Sequence, residues 1–318
     1  MIDQAAPPAT SESVEAALRA ELARGDAMAG TAAPILRHLV AARDIPVFSE
    51  EMLARIRAML ASLAGELLDE LIGADGRRAH SPAEVEVLGG ALLDNPALLA
   101  HLHGLAQEWQ LTELLQARLA LDPVASPMLR SLIYGPDGAP KELGMAFIAA
   151  QARWCQAQRR MELPLGELPA DLLNVALYTL RTLAGIEPAL AERAGVVEAK
   201  VRQAYDENAT RIGLAERLVR SLGDGGQAAL RVDNAGAALF LTALALGSRQ
   251  ERDAAVHSTH DTQMARLALG LRASGLGAVA VEEQFLAIHP EVTLPAGFER
   301  LDAERAAMLL SSPMGYRS

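Results

Sequence analysis

Apolar residues recur at intervals of three and four along most of this chain, which is the spacing of one buried face on an α-helix. The clearest stripe is Leu53, Ile56, Leu60, Leu63, Leu67 and Leu71. Hydrophobic residues make up 51% of the chain but aromatic residues only 3%, so a core must be built mainly from Ala, Leu, Val and Met. Most of these are strong helix formers, whereas sheets favour β-branched and aromatic residues. The sequence therefore predicts an all-α protein.

Helix starts are marked repeatedly by a side-chain hydrogen-bond acceptor followed by proline. Such pairs are Ser81-Pro82, Asn95-Pro96, Asp122-Pro123 and Ser126-Pro127. The acceptor satisfies an unpaired backbone amide, and proline at the first helical position loses no hydrogen bond. The spacing of Ser81 and Glu84 also fits a reciprocal capping box. Starts at such close intervals predict many short helices, although one long amphipathic stretch runs from Val196 to Leu222.

Short helices joined by turns suggest how the chain is organised. Many antiparallel helices that pack on their sequence neighbours form an irregular α-solenoid or HEAT-like array, and a large orthogonal helical bundle is the alternative. We expect one all-α region over residues 13–311, with a division into lobes 13–185 and 196–311 as an alternative. Residues 1–12 and 312–318 are expected to be disordered tails.

Charge, hydropathy and cysteine content exclude several classes of protein. The formal net charge of −11 repels nucleic-acid phosphates, so no nucleic-acid partner is expected. The longest apolar run, residues 235–247, is shorter than the roughly 20 residues that span a bilayer, so no membrane insertion is expected. Cys155 is the only cysteine, which rules out an intramolecular disulfide and fits a reducing compartment. We therefore expect a cytoplasmic protein, and no motif in the sequence calls for a cofactor.

One short segment carries side chains that can bind a metal. The stretch Ala255–Leu269 places His257, His260 and Asp261 within five positions. On a continuous helix, Asp253 would join them as a fourth ligand, and such spacing can present several ligands to one metal. The adjacent His260 and Asp261 also resemble the dipeptide of HD-type phosphohydrolases. On this interpretation the protein is a metal-dependent hydrolase that uses His257, His260 and Asp261.

The same segment also fits two consecutive helix starts. Ser248 and Glu251 have the spacing of a capping box, and Ser258 and Asp261 have a weaker version of it. A new helix beginning at Ser258 would end the preceding helix and separate the proposed metal ligands. We take capping as the main interpretation, so no metal site and no catalytic residues are expected, and the hydrolase remains the alternative.

The helical segments between about residues 141 and 290 resemble a known family. The stretches GMAFIAAQARWCQAQRR, LPADLLNVALYTLRTL, ALFLTALALGSRQERDAAV and MARLALGLRASGL occur in the order seen in an uncharacterised α-proteobacterial family of all-helical, HEAT-like domains of unknown function. The resemblance implies a cytoplasmic bacterial protein. It also implies an inter-helix turn at HSTHDT, in agreement with the capping interpretation, and it brings no catalytic residues.

Amphipathic helices without clustered catalytic side chains are typical of surfaces that bind other proteins. We therefore expect a non-catalytic helical scaffold that binds an unknown protein partner or itself. Trp109 is a candidate anchor, provided that it is exposed. Asn174, Tyr178 and Arg181 form a polar line on the helix predicted to open at Pro169. Tyr178 and Arg181 are candidate partner contacts, although a solvated helix face explains the same pattern. A small-ligand pocket between helices is a third hypothesis, and no particular residue supports it.

Overall fold

The computed structural model describes residues 11–41, 50–72, 81–136 and 138–311, and these residues form helices and their connections, with no β-strand among them. Along the described chain come α1 (Ser11–Ala41), α2 (Glu50–Ile72), α3 (Pro82–Leu93), α4 (Pro96–Leu119), α5 (Pro127–Tyr134), α6 (Ala139–Arg159) and α7 (Ala170–Ala184). They are followed by α8 (Pro188–Ala204), α9 (Arg211–Ser221), α10 (Val232–Ser248), α11 (Arg252–Ser258), α12 (Met264–Ala273), α13 (Ala278–Ile288) and α14 (Ala303–Ser311). Short 3₁₀ helices cover Leu165–Glu167, Glu207–Ala209, Gly223–Leu230, Asp261–Gln263 and Phe298–Arg300. The all-α prediction is confirmed for these residues, but the expectation of short helices is wrong for several of them, since α1 has 31 residues and α4 has 24.

The acceptor–proline pattern located several helix starts. At α3, Ser81 Oγ accepts a hydrogen bond from the Glu84 amide at 3.3 Å, and Glu84 Oε2 accepts one from the Ser81 amide at 2.9 Å. The Asn95 side chain accepts from the Leu98 amide at 2.9 Å at the start of α4. Ser126 does the same for α5. These starts could be found from sequence because both partners of each bond lie within one helical turn. Asp122-Pro123 begins no helix, and Asp122 Oδ1 instead accepts hydrogen bonds from the Val124 and Ala125 amides in a turn.

The two predicted tails fall largely outside the described part of the chain. Of residues 1–12, only Ser11 and Glu12 are described, and they begin α1. Residues 312–318 lie outside the described residues. The prediction for the tails is therefore revised only at Ser11 and Glu12, which are helical.

Contacts divide the chain into two compact units, each assembled from separate stretches of sequence. The described residues of Met1–Gly30, Gln110–Ser131 and Leu222–Ser318 form unit 1, and those of Thr31–Trp109 and Leu132–Ser221 form unit 2. The lobes expected over residues 13–185 and 196–311 follow a single cut along the sequence, which this division does not. Periodicity identifies the apolar face of a helix but not the distant face that it meets, so the units could not be read from local patterns.

Unit 2 has a leucine-rich core in which α2 is central. The side chains of its predicted stripe are at most 5% exposed from Leu53 through Leu67. They pack with apolar side chains of α3, α4, α7 and α8. Fully burying a leucine or isoleucine contributes about 1.5–3 kcal/mol. At the surface, Lys200 of α8 pairs with Glu70 of α2 at 2.6 Å. The apolar packing and this ion pair together place α8 along α2.

The amphipathic stretch over residues 196–222 is interrupted, so it is not one long helix. A 3₁₀ turn separates α8 from α9. Asp206 accepts a hydrogen bond from the Asn208 amide at 3.0 Å, and Thr210 Oγ1 accepts one from the Gly213 amide at 3.0 Å. Asp and Thr side chains thus compete with the helical hydrogen bonds. A Cβ on Gly213 would lie 3.0 Å from the Asn208 Cα and closer still to a neighbouring carbonyl oxygen, so the turn requires glycine there.

Unit 1 is organised around α10, which is buried along most of its length. Helices α11, α12 and α13 contact α10, and α14 contacts α12. The amino-terminal part of α1 is held by ion pairs, Asp26 with Arg266 and Glu15 with Arg305. Although α10 contains the apolar run 235–247, neither it nor any other described helix has the length and hydropathy needed to cross a bilayer.

Candidate functional site

The histidine-containing segment is interrupted at its centre. Helix α11 ends at Ser258, and a 3₁₀ turn separates it from α12. Asp253 and His257 lie on α11, whereas His260 and Asp261 lie in the connection that follows. The four-residue spacing that starts at Asp253 therefore does not extend through the segment. Among the residues that the structure describes, no three His, Cys, Asp or Glu side chains are grouped so that they could hold a metal ion.

The two histidines of this segment have separate local environments. His257 is half-buried in the last turn of α11, and burial lowers its pKa despite the opposing effect of the Asp253 carboxylate. His260 Nδ1 accepts a hydrogen bond from the Thr262 amide at 3.3 Å and so caps the 3₁₀ turn. The same nitrogen lies 2.7 Å from Asp261 Oδ1. His260 and Asp261 are therefore together, and His257 is held on the preceding helix.

A third histidine, which the sequence pattern does not single out, lies near this connection. His289 directly follows α13, and its Nε2 donates to the carbonyl oxygen of Thr259 at 2.8 Å. Burial lowers the pKa of His289, although the Thr259 carbonyl and the Asp261 carboxylate act in the opposite direction. The fold alone brings His289 here, because 30 residues separate it from Thr259.

Ser248 and Ser258 do not cap the helices that follow them, so these two capping predictions are wrong. Each serine is the last residue of its own helix, and its hydroxyl donates to a carbonyl oxygen three or four residues earlier at 2.6 Å. Glu251 is the N-cap of α11, but its side chain makes no capping hydrogen bond. Asp261 begins the 3₁₀ turn and forms no box with Ser258. Backward bonding and N-capping use the same hydroxyl, and residue spacing does not distinguish them.

Trp109 is only 5% exposed, so the prediction that it anchors a partner is wrong. Its ring packs edge-on against Trp154, with the ring centroids 5.7 Å apart. The guanidinium carbon of Arg55 lies 5.3 Å from the Trp109 centroid, and Arg55 also donates to the Gln158 carbonyl oxygen at 2.6 Å. Trp109 is therefore a core residue that packs α4 against α2 and α6.

The same interior contains an ion pair. Arg211 of α9 donates to both carboxylate oxygens of Glu108 on α4, at 2.7 and 3.0 Å. It also donates to Gln151 at 3.4 Å, and its guanidinium carbon lies 4.0 Å from the ring centroid of Trp154. Burial acts to lower the pKa of Arg211, but the neighbouring carboxylates, Glu108 above all, act in the opposite direction, and the pKa is raised. Arg211 is thus held as a cation between α4, α6 and α9.

The cluster around Arg211 is closed to solvent. The side chains of Glu108 and Arg211 are at most 2% exposed, and Cys155 beside them is also buried. A buried ion pair constrains how the helices pack, because separating them would leave each charge buried without its counter-ion. The sequence does contain a signal for this ion pair. Arg211 occupies an apolar stripe with Leu214 and Leu218, and a charge in that position needs a buried counter-ion. The identity of that partner, 103 residues away, has no local signal.

Tyr178 and Arg181 lie with Asn174 on the exposed side of α7. Tyr178 is 71% exposed. Arg181 donates to Glu198 Oε2 on α8 at 3.2 Å, and Arg202 pairs with Glu198 Oε1 at 2.8 Å. The carboxylate of Glu198 therefore binds two arginines, one from each helix.

An open groove of about 450 Å³ lies along the outer side of α8. It is lined by Arg181, Ala191, Glu192, Gly195, Glu198, Ala199 and Arg202. The lining combines small side chains with charges of both signs. Two further large apolar residues are exposed, Ile186 at 87% in the connection between α7 and α8 and Val196 at 65% on α8. We call the groove residues, together with Tyr178, Ile186 and Val196, the α7–α8 face.

Comparison of the chain with protein-family models, with curated proteins and with solved structures gives no match. The resemblance of residues 141–290 to an α-proteobacterial family therefore stays a prediction.

Proposed function

We propose that this protein is a non-catalytic helical scaffold that binds a protein through its α7–α8 face. The observation that carries this proposal is the exposure of three large apolar side chains, Tyr178 on α7, Ile186 in the connection and Val196 on α8, together with an open groove along α8. Aromatic residues and arginine are enriched in protein interfaces and supply much of their binding energy. Tyr178, Arg181 and Arg202 are the residues of these two types on the face.

The two sides of α8 support the same conclusion. Ala194 and Val197 are buried in unit 2, so α8 already has an apolar face in contact with the core. A helix whose other side contacts only water normally carries polar side chains there. On the exposed side of α8, Gly195, Val196 and Ala199 lie among charged side chains such as Glu192 and Arg202. This composition is suited to contact with another protein surface.

We further propose that each unit is a compact helical bundle. Within unit 1, Asp26 and Arg266 form an ion pair although 240 residues separate them. Within unit 2, Lys200 and Glu70 pair across 130 residues. In an α-solenoid or HEAT-like array each repeat contacts only its neighbours. Contacts of this range therefore favour the orthogonal bundle over the array.

The net charge and the cysteine content of the chain bear on the kind of partner and on the compartment of the protein. A formal net charge of −11 disfavours nucleic acid as the partner, because its phosphates are also negative. A single cysteine, Cys155, which is buried, fits a reducing compartment, so we propose a cytoplasmic location.

Photo-crosslinking at two exposed positions tests the proposed binding face. A photoreactive amino acid replaces Tyr178 in one version of the full chain and Val87, 62% exposed on α3, in the control. Irradiation in the cells that produce the protein is expected to give a crosslinked product of higher mass from position 178 and none from position 87. The proposal is wrong if position 178 gives no more product than position 87.

A further inference from the structure

We infer that the α7–α8 face binds a second copy of this chain, with the two α8 helices packed antiparallel. This inference rests on the proposed function and names its partner. Along the exposed side of α8, Pro188, Glu192, Gly195, Ala199 and Arg202 follow one another at steps of four, three, four and three residues. That spacing forms one continuous seam on a helix that packs lengthwise against another helix. We call these residues the α8 seam.

The charges of the α8 seam make the surface complementary to itself. Glu192 lies towards the amino-terminal end of the seam and Arg202 towards the carboxy-terminal end, with Gly195 and Ala199 between them. A two-fold axis at residue 197 places Glu192 opposite Arg202 of the second copy, and symmetry repeats the pair. A parallel arrangement would instead bring equal charges together. The order of charges therefore favours an antiparallel dimer.

The small residues at the centre of the seam allow close approach of two helices. In the antiparallel arrangement, Gly195 lies opposite Ala199 of the second copy, and the separation of packed helices depends on the side chains at their contact. A Cβ added to Gly195 would meet no atom within 4 Å, so packing within the chain does not require glycine there. Glycine is unfavourable inside a helix. Close packing of a second helix gives a reason for its presence.

The size of the seam predicts a weak dimer. Helix α8 has 17 residues and is therefore about 25 Å long. A pair of such helices, extended by Tyr178 and Arg181 of α7, lies at the low end of specific interface sizes. We expect monomer and dimer to exchange, with the dimer favoured as concentration rises.

Charge reversal followed by mixing tests the inference. Sedimentation of the purified full chain over about a hundredfold range of concentration should show a shift from the mass of one chain to the mass of two. Glu192→Arg places two arginines opposite each other, and Arg202→Glu places two glutamates opposite each other. Each variant alone is expected to dimerise about tenfold more weakly, because two attractive pairs become repulsive. An equal mixture of the two variants restores opposite charges at both pairs and should form a mixed dimer.

Two further variants separate the seam from the rest of α8. Arg193→Glu reverses a charge on another exposed face of the same helix and should leave dimerisation unchanged. Gly195→Leu fills the centre of the seam and should abolish the dimer while the chain still folds, because the space beside Gly195 is open.

The inference is overturned if the wild-type chain stays monomeric over the whole range. It is also overturned if the mixture fails to dimerise, or if Arg193→Glu weakens the dimer as much as the seam variants do. A monomeric wild type that crosslinks a different protein at position 178 would remove this inference and leave the proposed function standing.

Discussion

Replacing Glu108 with glutamine should strongly destabilise the protein. The substitution keeps the size of the side chain but leaves Arg211, with a side chain only 2% exposed, without its counter-ion. Removing one partner of a buried ion pair costs about 3–5 kcal/mol, because the remaining charge stays desolvated. The new amide oxygen can still accept one hydrogen bond, and the contacts of Arg211 with Gln151 and Trp154 remain. We therefore expect a loss of about 3 kcal/mol, at the lower end of that range.

Denaturant unfolding measures this loss, provided that the slope with denaturant stays constant. Glu216→Gln is the matched control, because Glu216 pairs with Arg220 on the surface of α9 at 2.9 Å. An exposed pair of this kind contributes at most about 1 kcal/mol.

A double variant isolates the electrostatic cause. Glu108→Leu combined with Arg211→Met replaces both charges with apolar side chains, and such replacements are often close to neutral. The double variant should therefore lose much less stability than the sum of the two single variants. A loss below about 1 kcal/mol for Glu108→Gln, or strictly additive losses, would refute the reasoning.

Three other predictions follow from local geometry, each measured by chemical or thermal unfolding. Gly213→Ala should lower the free energy of unfolding by about 1–3 kcal/mol, because the added Cβ overlaps the preceding turn. Gly195→Ala should instead raise it by about 0.5–1 kcal/mol, because the space beside Gly195 is open. Equal effects of the two substitutions would contradict the requirement for glycine at Gly213. Ser81→Ala should cost about 1 kcal/mol by removing the cap of α3, and an unchanged midpoint would show that this cap contributes nothing. Burial holds the pKa of His257 below its ordinary 6.5 in the folded protein. The stability linked to neutral His257 is therefore fully present above pH 6.5 and decreases as the pH falls below that value. His257→Gln should flatten this decline, and an unchanged pH slope would assign it to other groups.

The elements of the fold could be predicted where the determining interactions are local. The stripe on α2 and the capping box at Ser81 both involve residues within one or two turns of each other, so spacing is sufficient. The capping prediction failed at Ser248 and Ser258 because a serine hydroxyl can bond backward as readily as forward. The units could not be predicted, because they depend on which distant apolar faces meet.

The candidate site was predicted only in part, for a related reason. The exposure of Tyr178 and Arg181 follows from their position opposite the apolar stripe of α7. The burial of Trp109 does not follow from its polar sequence neighbours, because it depends on Trp154 and Arg55 from other helices. The groove combines Arg181 of α7 with six residues of α8, so it depends on how the two helices pack together.

Hydrogen–deuterium exchange of dilute and concentrated protein tests the central claim most directly. If the α7–α8 face is the binding surface, peptides from α7 and α8 should exchange more slowly in the concentrated sample, because a second chain covers them and suppresses local opening. Peptides from α3 and α13 should exchange at the same rate in both samples. Exchange on α7 and α8 that does not depend on concentration, together with slowing confined to another surface, would contradict the account.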